Sequence, residues 1–205
     1  MVPDSILLSQ SCISAYNVKG LSMMTKLSVK EKGIIEIIDS VLQQKIIQRK
    51  INVIAKRVEQ KLMEDLRSDL AWESIPLETY QSDLPEMIRS SWVFVVRAGV
   101  NTGAERHPNS HQFMMSYKRT GDLQICVGED WTSNLLVSAL SEPLEKRWIS
   151  VPTNVWHRAI SFEENWIVVS FHTASAGELI EERPGADDEK KLSQRLYVDK
   201  QTIEN

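Results

Sequence analysis

Cysteine is scarce in this chain: Cys12 and Cys126 are the two among 205 residues. So distant a pair makes no disulfide framework of the kind that staples small secreted domains, and a reducing, cytoplasmic setting is the expectation. Long apolar runs are missing as well. None approaches the roughly 18 residues that a membrane span needs, and the opening M-V-P-D-S-I-L-L-S-Q-S-C lacks the basic start and long apolar core of a signal peptide. There is no excess of positive charge either, because 24 Lys and Arg stand against 28 Asp and Glu. Neither a membrane nor a nucleic acid is therefore an expected partner. What the chain does have is 42% hydrophobic content, enough for one substantial core plus an appendage.

Residues 1–27 show no sustained period and are expected to be disordered, with Met23-Met24 a candidate start. At Ser28 the character changes. Ser28-Val-Lys-Glu31 has the spacing of a capping box, which satisfies free backbone N–H groups where a helix begins. Beyond it, Ile34, Ile38, Val41, Leu42, Ile47, Ile51, Ile54, Val58, Leu62 and Leu66 recur mostly at steps of three and four, and neither proline nor glycine interrupts residues 34–75. This predicts a helical extension over 28–70, continuous or softly broken between Gln43 and Lys50. The stripe lacks clean heptads and must be covered by the following domain or by a second copy, so a homodimer is the expected assembly if one forms.

Pro76 and Pro85 exclude a continuing helix, and Trp72, Ile75, Leu77 and Tyr80 anchor an extended linker over 71–91. From Trp92 the period switches to short β-branched and aromatic runs: 92–98, 112–117, 123–127, 135–137, 148–151, 155–161 and 166–173. Turn chemistry at Arg119-Thr-Gly-Asp122 reads as a hairpin, and Phe162-Glu-Glu-Asn165 joins the last two runs. The spacing predicts an all-β sandwich or small barrel over 92–183. Ser175-Ala-Gly-Glu178 opens a short helical segment packed by Leu179 and Ile180, and residues 184–205 read as a charged, solvated tail.

The chemistry concentrates in Glu105-Arg-His107-Pro-Asn-Ser-His111, which places a carboxylate and two of the four histidines within seven residues. Alternate residues of a strand share a face, so Glu105 and His107 look the same way. Pro108-Asn109-Ser110 is a turn that can bring His111 back to them. Pro152-Thr-Asn-Val-Trp-His157 adds an imidazole about fifty residues later. Three imidazoles and a carboxylate suit one divalent transition metal, Fe, Mn, Ni, Co or Zn, and leave two octahedral positions open.

Each residue also has a plainer reading. A histidine can be held in a core by hydrogen bonds, and Glu105 can be a surface carboxylate, in which case Gln112 offers a neutral oxygen in its place. By parity Phe113, Met115 and Tyr117 go with His111 and line the same cavity. Tyr117 is then either a general acid or donor to substrate, or packing. His172 reads as a strand-end residue, and Arg106 and Arg158 alternate outward toward Glu163 or Glu164. No Ser-His-Asp or Cys-His constellation competes.

These two segments resemble the paired motifs of the cupin superfamily, G-x5-H-x-H-x3,4-E-x6-G and G-x5-P-x-G-x2-H-x3-N. Pro152-x-Asn154-x-x-His157 keeps the second motif's spacing, with Asn154 for a glycine, a residue that also tolerates a left-handed turn, and Ser161 for the asparagine. Glu105-x-His107-x3-His111 fits the first with its outer ligand types exchanged, and Gly121 falls three residues late. The resemblance covers roughly residues 90–175. It implies a mainly β fold, the cupin-type double-stranded β-helix or jelly roll, here with an N-terminal α-helical extension. It also implies one metal ion in the barrel mouth on Glu105, His107, His111 and His157.

The fold hosts enzymes, sugar isomerases, storage proteins and regulators alike. The expected function is a metal-dependent enzyme acting on a small organic molecule, most sharply a mononuclear non-haem oxygenase. A cupin-type isomerase or lyase, or a non-catalytic binder of a small ligand, stands beside it.

Overall fold

A computed structural model describes residues 27–81, 83–185 and 192–196. The expected disordered segment, its Met23-Met24 and much of the charged tail lie outside them. The chain runs through α1 (Val29–Leu42), α2 (Lys45–Glu64), β1 (Leu70–Ser74), β2 (Ser90–Val96), β3 (Gln112–Lys118), β4 (Thr120–Val127), β5 (Asp130–Thr132) and β6 (Leu135–Val137). It continues through a one-turn α3 (Leu144–Arg147), β7 (Trp148–Val151), β8 (His157–Ser161), β9 (Trp166–His172), β10 (Ile180–Pro184) and β11 (Leu192–Leu196). No helix among the described residues is long and apolar enough to cross a membrane.

The capping box forms at the start of α1. Glu31 N–H donates to Ser28 Oγ and Ser28 N–H to Glu31 Oε2. The chain breaks at Gln43-Gln44, the cap residues between the two helices. The buried stripe is close to the one the period predicts. Ile35 takes the deep place expected of Ile34, and Leu66 stands in solvent beyond the end of α2.

Two antiparallel sheets stack on one another. The larger has the order β1-β2-β9-β3-β7, and the smaller has β4 at its centre with β8 on one side and β5 and β6 on the other. The fold is thus mainly β, a jelly roll. The larger sheet is covered on both faces. On the outer one, Ile35, Ile38, Ile51 and Leu62 of the helices meet Val93, Val95, Phe113, Met115, Val169 and Phe171. On the inner one, Val96, Met114, Val151 and Val168 meet Leu123 and Ile125 of the smaller sheet.

The helices therefore cap their own barrel. Each buried aliphatic side chain contributes about 1.5–3 kcal/mol, and a buried ion pair adds direction. Arg147 donates to Asp39 Oδ1 and Oδ2 at 2.7 and 2.8 Å, and Trp148 Nε1 donates to the same carboxylate at 2.8 Å.

Several local expectations change. The turn read as a hairpin at 119–122 and the connection at 162–165 are both corners at which the chain passes from one sheet to the other. β3 and β9 lie in the large sheet, while β4 and β8 lie in the small one. Arg119 turns the first corner with φ +68°. Gly121 lies so close beneath Trp166 that a Cβ there would sit 2.1 Å from the indole. Leu70–Ser74, read as helix end and linker, is an edge strand. Residues 175–178 form a turn and not a helix, with Ile180 opening β10, which pairs with β11 out of the segment read as a solvated tail. The expectation of reduced cysteines involves Cys12, which lies outside the described residues.

Candidate functional site

Glu105, His107 and His157 come together at the mouth of the barrel, with one ligand atom from each lying within 4.8 Å of the others. Backbone pairing puts them there. Glu105 and His157 face each other across an isolated antiparallel bridge, each N–H donating to the other's carbonyl at 2.9 Å. The Pro152–Asn154 turn completes the arrangement. Asn154 adopts φ +63°, the left-handed conformation for which its motif position uses glycine, and its N–H donates to His107 O at 3.0 Å. The two motif segments are thus tied backbone to backbone.

Both imidazoles are oriented by acceptors that leave one tautomer. His107 Nδ1 lies 3.0 Å from Ile180 O, and His157 Nδ1 lies 3.0 Å from Val155 O. A carbonyl accepts only, so each Nδ1 carries the proton and each neutral ring keeps its lone pair on Nε2. His157 Nε2 is buried with no hydrogen-bond partner, 3.6 Å from Glu105 Oε1. Burial, and then the neighbouring His157, hold His107 below the usual imidazole range, which favours the neutral form. A ring held through one nitrogen in this way is preset to offer the other to an ion or a donor.

His111 is not brought to this group. Its parity is that of Phe113, and in the large sheet that parity faces the helices. The His111 ring stacks on Phe113 at 4.6 Å, its Nε2 lies 2.6 Å from Ser150 Oγ, and Glu31 of α1 is 3.5 Å away. The turn at 108–110 thus delivers His111 to the outer face, and the cluster brings together three of the four expected residues. Tyr117 follows the same parity. Its hydroxyl lies 3.3 Å from Gln48 O and from Asn52 Oδ1 of α2, and burial pushes its pKa up to about 12. It is far from the general-acid role in range and on the other side of the sheet.

The cavity is lined instead by the alternate residues, Gln112 and Met114, with Phe94, Val96 and Leu123. Its volume is about 40 Å³. Gln112 Oε1 is buried there without a hydrogen-bond partner. His172 faces the interior, fully buried, with its ring 5.1 Å from His107 and its two nitrogens 3.4 and 3.2 Å from Ser110 Oγ and Ser170 Oγ. Burial drives its pKa well down. It buttresses His107.

Arg106 and Arg158 point outward as expected but to other partners. Arg106 pairs with Glu182 at 2.7 Å and lies over Trp156, and Arg158 lies over Trp131 and donates to Gln124 Oε1. The residue that sequence reasoning passed over is Arg183 of β10. It pairs with Glu105 and with the fully buried Glu181 and donates to Thr102 O at 2.8 Å. The alternation in Ile180-Glu-Glu-Arg183 places Glu181 and Arg183 on one face of a strand, and that was the available signal.

No protein-family model matches the sequence, and no curated protein matches it. Among solved structures, the chain is similar to the coconut allergen cocosin, with TM-score 0.44 and 16% identity over 57% of this chain and 29% of that one. It is similar to the capsular polysaccharide assembling protein CapF from Staphylococcus aureus, with TM-score 0.41 and 10% identity over 53% and 29%. A further likeness is to oxalate oxidase in complex with the substrate analogue glycolate, with TM-score 0.39 and 15% identity over 51% of each chain. These neighbours are cupin-fold proteins. This chain spans under a third of the length of the first two.

Proposed function

We infer that the cupin mouth holds one divalent transition-metal ion on Glu105, His107 and His157. On this reading the protein is a metal-dependent enzyme acting on a small organic molecule, most sharply a mononuclear non-haem oxygenase. The observation that carries this is the pair of buried imidazoles, each pinned through Nδ1–H to a carbonyl, beside a carboxylate. Two histidines and one carboxylate on one side of an ion are the ligand set associated with non-haem iron chemistry. An ion held there supplies Lewis acidity and, when redox-active, a one-electron couple.

The chain's own residues do the rest. The Ile180 and Val155 carbonyls hold the rings, Arg183 fixes one oxygen of Glu105 so that the other faces His157, and the apolar floor limits water. Gln112 offers an amide to whatever enters. The identity of the ion chooses between the readings. Iron with oxygen uptake supports an oxygenase. Zinc without it supports an isomerase or lyase.

The test is metal analysis and titration calorimetry on full-length protein purified without an affinity tag. About one ion per chain is expected. Removing an outer partner of a metal ligand typically costs 10–100-fold in affinity, so His157→Ala is expected to lose at least about a hundredfold, while His111→Ala stays within about twofold. Equal losses in the two variants, or no uptake by the wild type, would sink the three-ligand site.

A further inference from the structure

The negative charge of the whole chain conceals an uneven distribution. Helix α2 carries Lys45, Arg49, Lys50, Lys56, Arg57 and Lys61 against Glu59 and Glu64, a net +4 within 20 residues, whereas the full chain stands at −4. Glu59 is drawn away to Arg119 at 2.8 Å, and Glu73 of β1 takes Arg57 and Lys61. Lys45, Arg49, Lys50 and Lys56 are exposed and, among the described residues, form no ion pair. The apolar stripe Ile47, Ile51, Ile54, Val58 and Leu62 is buried on the large sheet, so these cations project from a helix that is already fixed in place. With about 100° of rotation per residue, Ile46, Lys50, Val53 and Arg57 fall within about 60° of one another on the side away from the sheet, flanked by Lys45, Arg49 and Lys56. Ile46 and Val53, two turns apart among the cations, are 51% and 63% exposed.

We propose that this face of α2 seats the protein on an anionic lipid surface, its cations over the headgroups and Ile46 and Val53 entering the acyl boundary. Clusters of about four to eight Lys and Arg on an amphipathic helix suit anionic headgroups, each cation near the surface adding about fivefold in affinity. The shape suits a plane of charge, because α2 lies along a five-stranded sheet as a ridge. Duplex DNA would have to admit the helix into a major groove about 12 Å wide, and five strands spaced about 4.8 Å apart make the sheet behind α2 broader than that. Single-stranded nucleic acid is gripped by aromatic side chains, and α2 has none. Either polyanion would leave Ile46 and Val53 pressed against phosphate, whereas a bilayer takes both kinds of side chain at once. The missing apolar run excludes a membrane span; a helix lying on the surface needs only one charged face.

The experiment mixes full-length protein with vesicles of phosphatidylcholine containing about 30% phosphatidylserine, with vesicles of phosphatidylcholine alone, and with duplex DNA, and reads the bound fraction. Vesicles with phosphatidylserine are expected to bind at least about tenfold tighter than neutral ones, and raising salt from about 0.1 to about 0.5 M should release most of the protein. Arg49→Gln with Lys50→Gln is expected to weaken binding about 25-fold. Arg89→Gln with Lys146→Gln removes the same charge from exposed sites elsewhere and should change binding less than about threefold. Ile46→Ser with Val53→Ser should weaken vesicle binding at least about fivefold, a loss that attachment to a polyanion would not show. All of these side chains are exposed, so the variants are expected to melt with the wild type. No binding to either vesicle, equal binding to both, equal losses in the two charge pairs, no loss in the Ile46 and Val53 variant, or DNA bound in preference to vesicles each overturns the proposal. None of these results bears on the metal reading, because no substituted residue lines the cavity.

Discussion

The outer side of the large sheet, under the helices, and the barrel interior on its other side each hold a histidine close to a glutamate, and they differ in what their polar atoms have left to do. On the outer face His111 Nε2 meets Ser150 Oγ, Ser150 Oγ donates to Glu31 Oε1, and Glu31 Oε2 accepts from Ser28, so each of these atoms is engaged. In the barrel interior His157 Nε2, from the small sheet, and Gln112 Oε1, from the large one, are buried with no hydrogen bond. A buried polar group without a partner is rare in a folded protein and asks for an explanation, such as an ion or ligand. The same residue types therefore close a latch outside the large sheet and leave a lone pair unspent in the barrel interior, and that difference tells the two clusters apart.

The comparison breaks most severely where the outer latch is deepest. Asp39 and Arg147 are both nearly inaccessible, and Asp39→Ala leaves a guanidinium buried without its partner. Such a loss costs about 3–5 kcal/mol, and at 2–4 °C per kcal/mol for a chain of this size the melting temperature should fall by roughly 10 °C. Ion uptake measured well below that temperature should be unchanged, because the helices touch the face opposite the ligands. Loss of both would mean that the faces are not independent. Gly121→Ala comes next. The added methyl meets the Trp166 ring, and overpacking of this kind costs about 1–3 kcal/mol, read as a lower midpoint in urea with the same slope. Tyr117→Phe is milder, about 0.5–1.5 kcal/mol for the lost hydroxyl contacts to α2. It should not alter ion or ligand binding, whereas a catalytic hydroxyl would.

The helices and most strands were legible because their periods differ and each has one dominant face. The capping box at Ser28 and the left-handed Asn154 were legible because single residue types carry them. What sequence could not settle was which parity of the large sheet faces inward. Phe113, Met115 and Tyr117 alternate with Gln112, Met114 and Ser116, and both sets are largely buried because helices cover one face and a second sheet the other. A strand covered on both sides loses the polar–apolar alternation that normally fixes its orientation. That ambiguity put His111 with the ligands and Tyr117 in the cavity. It left Glu105, His107 and His157 together because their placement rests on a backbone bridge and not on strand parity. Arg183 was harder still, since it reaches the site from a strand that begins eight residues after β9 ends.

The smallest effect tests whether His111 is the neutral, structural histidine that the outer face implies. Burial holds its pKa below the ordinary 6.5, outweighing the upward pull of Glu31, with Lys30 adding to the depression. The unfolded chain then takes up the proton near pH 6.5 while the folded chain waits for a lower pH. Between the two the unfolded state binds more protons, so stability rises with pH through that window and is lost as pH falls below about 6.5. His107 and His172 are depressed as well and share this slope, which is why the informative quantity is a difference. His111→Gln keeps a donor for Ser150 but cannot titrate. Its stability, followed by chemical denaturation from about pH 7 to 5, should decline less steeply than that of the wild type. A steeper decline in the variant than in the wild type would mean that His111 is charged in the folded protein and paired to Glu31, and the outer cluster would then be an ion pair holding α1 and not a neutral latch.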